Sequence, residues 1–239
     1  MLAPKRKISK KEIKQDKLVE TYFKAKTFFE ENQRKILIFL GSFVVVVLLV
    51  IYLVNRSKER EIEATTLLGG VINLYDQGLY QQAIDGVPAK KIKGLKYIAD
   101  EYGNTESGEA AKIFLANSYY QMGKIDEALK YYEDYDGDNK LFEATAYAGA
   151  AACYEAKGNK EKAVEMYLKA AKVAESEVTT PEYLLYAARL SAELGKKDVA
   201  KKLLNQIKKE YSNSAQARDY DRYVIEFEIL VEWLIKILV

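Results

Sequence analysis

The chain has 239 residues, with 37 Lys/Arg against 35 Asp/Glu and no histidine. Without histidine the commonest general base and metal ligand are missing, and neither a Ser-His-Asp nor a Cys-His site can be assembled. The single cysteine, Cys153, excludes an internal disulfide, and its alanine-rich setting reads as packing, so neither an enzyme nor a cofactor protein is expected.

Residues 1–35 form a basic leader with eleven Lys/Arg and five Asp/Glu, a net of +6, which leaves −4 for residues 36–239. Ser9-Lys10-Lys11-Glu12 has the pattern of a capping box, and Ile8 and Ile13 have the spacing of a hydrophobic staple. Leu18, Val19, Tyr22, Phe23, Phe28 and Phe29 then make an apolar face among lysines. Two readings stand: a basic amphipathic helix lying against anionic lipid, or a solvated leader that only fixes topology.

Ile36–Val54 is an uninterrupted apolar run between Lys35 and Asn55-Arg56. At about 1.5 Å per residue it spans roughly 28 Å as a helix, the thickness of a hydrocarbon core. The long leader and the lack of a small-x-small cleavage site after it predict an uncleaved signal anchor. The positive-inside bias places the N-terminus in the cytoplasm and the large domain across the membrane, which in a bacterium is the periplasm. Arg56, Lys58 and Arg60 oppose that orientation, and Glu59, Glu61 and Glu63 among them offset it. Farther on, Gly69-Gly70 inside a helical pattern reads as a site of close helix packing.

A four-fold pattern follows. Gly78, Gly123, Gly158 and Gly195 are each followed five residues later by alanine: Ala83, Ala128, Ala163 and Ala200. In the last three, Ala116, Ala151 and Ala188 precede the glycine by seven. A larger residue lies four beyond the second alanine: Val87, Tyr132, Tyr167 and Leu204. The glycine suits a helix end that needs positive φ, the alanines let two helix axes approach, and the large residue fills the gap to the next unit. The glycine intervals are 45, 35 and 37 residues. The long first interval contains Val87-Pro88, so the second helix of that unit is expected to break near residues 86–88 and resume through Leu95–Tyr102.

After Ser214 a capping helix is expected, with Ala217–Tyr223 its clearest stretch. Val224–Val239 is apolar nearly all round, and its glutamates and short length argue against a second span. It reads as packing on the last repeat, a dimer contact, a membrane contact or altered sequence at the chain end.

Residues 116–132, Ala-Asn-Ser-Tyr-Tyr-Gln-Met-Gly-Lys-Ile-Asp-Glu-Ala-Leu-Lys-Tyr-Tyr, and Ala151–Ala170 resemble tetratricopeptide repeats, whose period is about 34 residues. Val71 stands where the first unit should carry a small residue, and the Ser191 unit lacks the usual tyrosine. The fold class expected is all-α: one N-terminal transmembrane helix, then a tetratricopeptide-like solenoid of helical hairpins. The boundaries are 1–35 for the leader, 36–54 for the span, 55–213 for the repeats and 214–239 for the cap and tail.

The architecture, with Phe28-Phe29-Glu30-Glu31-Asn32 before the anchor, also resembles the bacterial single-pass proteins related to the ancillary SecYEG translocon subunit. That resemblance implies a chaperone-like role, holding newly translocated chains at the translocon in the inner membrane. Repeat register places Ile72, Tyr75, Asn117, Tyr120, Ala148, Ala152, Tyr186 and Arg189 on the groove formed by the first helices. Relatives that clamp a C-terminal carboxylate use lysines and asparagines there. Asn117 fits one such position, but Ile72 and Ala152 occupy others and the lysine pair is missing. Tyrosines and small apolar residues suit extended, partly apolar polypeptide instead. The expected partners are proteins or unfolded segments and the membrane, with no nucleic acid. The competing reading is a structural scaffold in a cell-division, cell-wall or outer-membrane assembly complex.

Overall fold

The computed structural model describes residues 10–173 and 175–227, with side chains from residue 17 onward. The Ser9–Glu12 capping box, the Ile8/Ile13 staple and residues 228–239 of the apolar tail lie outside the described residues. The chain divides into two compact units, Met1–Ser57 and Lys58–Val239.

The first unit is helical from Lys10, the start of α1 (Lys10–Asp76). Its most apolar 18-residue window has a mean hydropathy of 3.1, and none of that window is buried by protein. Every residue from 37 to 54 is exposed. A run of Leu, Val, Ile and Phe with nothing packed on it is long and apolar enough to cross a membrane.

The second unit is a series of helical hairpins. The end of α1 pairs with α2 (Tyr80–Asp85) and α3 (Leu95–Tyr102), α4 (Glu106–Gln121) with α5 (Ile125–Glu133), α6 (Lys140–Ala156) with α7 (Lys160–Val173), and α8 (Thr179–Glu193) with α9 (Lys197–Glu210). Consecutive helices pack on one another along the chain. Pairing each helix with its sequence neighbour lets every hairpin bury its apolar stripe against itself and the next hairpin, the nearest-neighbour logic of repeat folds.

Each hairpin turn has the same backbone. Gly78, Gly123, Gly158 and Gly195 sit at φ of 72°, 74°, 78° and 74°. The glycine N–H returns to the carbonyl three residues back, and the next N–H to the carbonyl five back, as in Gly123 to Tyr120 at 2.9 Å and Lys124 to Tyr119 at 2.9 Å. This is a Schellman cap, which satisfies carbonyls that the helix end leaves open. On the two sides of the turns Ala116, Ala128, Ala151, Ala163, Ala188 and Ala200 are all buried, and Val71 takes the small-residue position of the first hairpin without being expelled from its core.

Tyr132 and Tyr167 are buried and reach the following hairpin, as the spacing predicted. The Tyr132 ring lies against the α6 backbone at Gly149, where an added Cβ would sit 2.2 Å from its Cζ. The Tyr167 ring meets Tyr186 of α8 at 5.2 Å between centroids. In the first hairpin the second helix breaks where expected. α2 stops at Asp85, β1 (Gly86–Val87) and β2 (Ile92–Lys93) form a short antiparallel ladder around a 3-10 turn at Pro88–Lys90, and α3 resumes the helix.

Two details differ from expectation. Gly69 and Gly70 are exposed, and a Cβ at either would meet nothing within 4 Å among the described residues, so they mediate no close packing. The cap is split: α10 (Ala215–Arg218), started by the Ser214 hydroxyl accepting from Ala217 N–H at 3.1 Å, ends before Asp219, and helix restarts over residues 220–227. Phe227 is buried in the cluster built by α7, α8 and α9.

The end of α1 is fixed to α4 by polar contacts. The Glu61 carboxylate accepts from the Ser107 hydroxyl at 2.7 Å and its N–H at 3.3 Å, at the electropositive first turn of α4. Burial pushes the Glu61 pKa up, but the bonds from Ser107 and Thr65 outweigh it and hold it below the ordinary value.

Because Ala163 is fully buried where α6 and α7 pack, Ala163→Leu should destabilise the second unit by about 1–3 kcal/mol through overpacking. The same change at exposed Ala156 should cost little. Urea denaturation of both variants checks this, and equal midpoints would count against the assigned register.

Candidate protein-binding groove

The eight residues expected on the groove fall on the first helix of each hairpin. Ile72 and Tyr75 are on α1, Asn117 and Tyr120 on α4, Ala148 and Ala152 on α6, Tyr186 and Arg189 on α8. Each of the eight is half-buried. Helical spacing explains this: the residues beside the buried stripe, such as Asn117 next to Ala116 and Arg189 next to Ala188, lie at its edge.

Tyr75 and Asn117 are brought together across two hairpins. Asn117 donates from Nδ2 to the Tyr75 hydroxyl at 3.3 Å and accepts from the Tyr132 hydroxyl at 2.5 Å. The Tyr75 ring also stands edge-on to Phe114 and Tyr80, at 5.1 and 5.8 Å. Burial, largest of the causes, raises the pKa values of Tyr75 and Tyr132, so both hydroxyls remain neutral, Tyr75 as acceptor and Tyr132 as donor to Asn117. Tyr120 shares no hydrogen bond or ring contact with the other seven among the described residues.

Tyr186 and Arg189 are tied to acids. The Tyr186 hydroxyl donates to Glu182 at 2.5 Å, which with burial pushes its pKa up to about 12. Arg189 donates to Glu155 at 2.7 Å and to Glu193 at 2.8 Å, and Lys160 pairs with Glu193 at 2.8 Å. These four charges join α6, α7 and α8. Arg189 is therefore committed to two carboxylates and presents no free cation for a peptide carboxylate.

Residues the sequence reading did not place here are Tyr132, Tyr167, Glu155 and Glu193. The two tyrosines carried a signal, their position four beyond the second alanine, but that position marks the second helix of a hairpin. Only the structure shows their hydroxyl or ring reaching first-helix residues. Nothing in the sequence singled out the two glutamates. Among the described residues no cluster of three metal-ligating side chains occurs. Cys153 is fully buried, and burial pushes its thiol up to about 12.

A family model for the tetratricopeptide repeat matches residues 115–135 and 182–214. The chain carries tetratricopeptide repeats. The matched segments hold the Gly123 turn with its flanking helices and the α8–Gly195–α9 hairpin. The α6–Gly158–α7 hairpin between them repeats the same turn and the same alanine crossing. No curated protein matches the chain.

A buried, protonated thiol should not react with an aromatic disulfide reagent at pH 8 in the native protein, and should react after unfolding in guanidinium. Native labelling at the unfolded rate would contradict the burial. The acid dependence also has a defined sign. Burial raises the Glu193 pKa, but Lys160 and Arg189 outweigh it and the folded value lies below the ordinary one. Its contribution is present above the unfolded pKa and is lost as pH falls through the folded pKa. The groups are partly exposed, so the loss should stay under about 1 kcal/mol. Melting curves of wild type and Glu193→Gln should converge below that window.

Proposed function

We propose that the chain is a membrane-anchored module that grips extended polypeptide along the first-helix face of its repeats. One observation carries this reading: a half-buried row of tyrosine, asparagine and small apolar side chains whose charged members are already paired within the fold. Such a face offers ring area and hydroxyls at low entropic cost, with no cation reserved for a carboxylate. Tetratricopeptide repeats are protein-interaction repeats, and nothing described here supports catalysis.

The apolar run 36–54 is the proposed anchor, with the leader cytoplasmic and the repeats exported, in a bacterial inner membrane. The +6 leader and the −4 remainder support that orientation. Tethering raises the effective concentration of the groove at the membrane surface. The resemblance to proteins related to the ancillary SecYEG subunit supports the finer reading, a chaperone-like hold on newly exported chains at the translocon.

Photo-crosslinking from Tyr120 and Tyr186 positions in intact cells should trap many exported chains. A single fixed partner would instead favour a scaffold subunit of an envelope complex. For the topology, protease added to spheroplasts should digest the repeats. Trimming of only the leader would reverse the assignment.

A further inference from the structure

The insertion in the first hairpin presents a second surface that the repeat pattern does not require. Lys90, Lys91, Lys93 and Lys96 are all exposed. No Asp or Glu lies between Asp85 and Asp100, and Asp85 is engaged by the Gln81 amide at 2.6 Å. None of the four lysines pairs with a described acid. Elsewhere in this unit several cations are compensated, Lys112 by Glu109 and Asp134, Lys157 by Asp126, Lys160 by Glu193 and Lys169 by Glu165, while the exposed Lys196, Lys197, Lys201 and Lys202 have no described ion pair but have Asp198 among them. Four unpaired lysines in a run that contains no acid, on a segment of net negative charge, are a directional feature.

The platform beneath these lysines is fixed. Gly86 pairs with Lys93 and Val87 with Ile92 in the short ladder. Val87 and Ile92 pack on the cluster formed by Ile84, Leu95 and Ile98. Lys91 closes the 3-10 turn at φ 56°, and a Cβ at Gly94 would lie 2.2 Å from the Ile84 carbonyl oxygen, so the ladder is clamped onto the end of α2. Only the lysine stems need ordering when an anion arrives, which limits the entropic cost.

We propose that this hairpin docks an acidic polypeptide segment, rich in Asp and Glu, of a partner protein. The lysines line none of the four best-formed cavities, and ammonium groups lack the planar fork that recognises a discrete phosphate, so the fit is to a spread of negative charge. A bilayer surface fits less well. The tip side chains are Pro88 and Ala89, too small to insert, and the nearby Tyr97 ring is covered by the Lys93 ammonium at 4.5 Å. A row running from the tip through β2 to α3 matches an extended acidic strand.

The test uses the full-length protein in detergent micelles and a fluorescein-labelled oligoglutamate peptide, followed by anisotropy at two salt concentrations. Wild type should bind it, more weakly at high salt. The K90Q/K91Q/K93Q/K96Q variant should bind at least about tenfold more weakly, with unchanged melting. The four Lys→Glu changes should transfer binding to oligolysine. Equal binding by wild type and the glutamine variant, or no preference for oligoglutamate over oligoglutamine, overturns the proposal. So does shielding of the four lysines from amine-reactive label by anionic but not zwitterionic nanodiscs in the absence of oligoglutamate binding. A Tyr120→Ala variant should keep oligoglutamate binding, which separates this surface from the groove.

Discussion

The second unit depends on how closely two helix axes can approach at one point in each hairpin. Ala116 and Ala128, Ala151 and Ala163, Ala188 and Ala200 flank the turns of their hairpins and are buried. A methyl group at each place leaves the backbones near enough for a long side chain to bridge to the next unit. That is why Tyr132 can lie on α6 at Gly149 and Tyr167 can meet Tyr186. With larger residues at the crossings the axes would separate, and the tyrosines would span a gap instead of filling one.

Polar chemistry in this unit is mostly settled internally. Asn117 is shared by Tyr75 and Tyr132, and Arg189 by Glu155 and Glu193. A face whose polar groups already have partners does not select a ligand by rescuing an orphaned charge. What it offers is shape, ring surface and spare hydrogen-bonding capacity, which suits varied chains better than one fixed small molecule. The lysines of the first-hairpin insertion are a counterexample, because their charge has no described partner and no acid lies among them.

Much of this was legible in the sequence because it rests on local rules. A glycine five residues before an alanine announces a left-handed turn and a buried small residue, and the structure has both at all four places. The break after Asp85 was legible for the same reason, since a proline and an overlong interval are incompatible with one continuous second helix. What could not be read depends on pairings between distant residues. Glu155 and Arg189 are 34 positions apart, and Tyr75 and Asn117 are 42 apart. Gly69-Gly70 misled because small residues signal close packing only when another helix covers them, and none does among the described residues.

At Gly78, Gly123, Gly158 and Gly195 a side-chain carbon would meet nothing within 4 Å. Room is therefore not what these turns demand. They demand a handedness that an L-residue resists by roughly 1–2 kcal/mol, since its Cβ crowds the following carbonyl in a left-handed conformation. A D-alanine, introduced by chemical ligation, would fill the same empty space with its preferred φ on the correct side. The repeats are in this sense punctuated by chirality, and a mirror-image residue is the substitution their geometry would welcome.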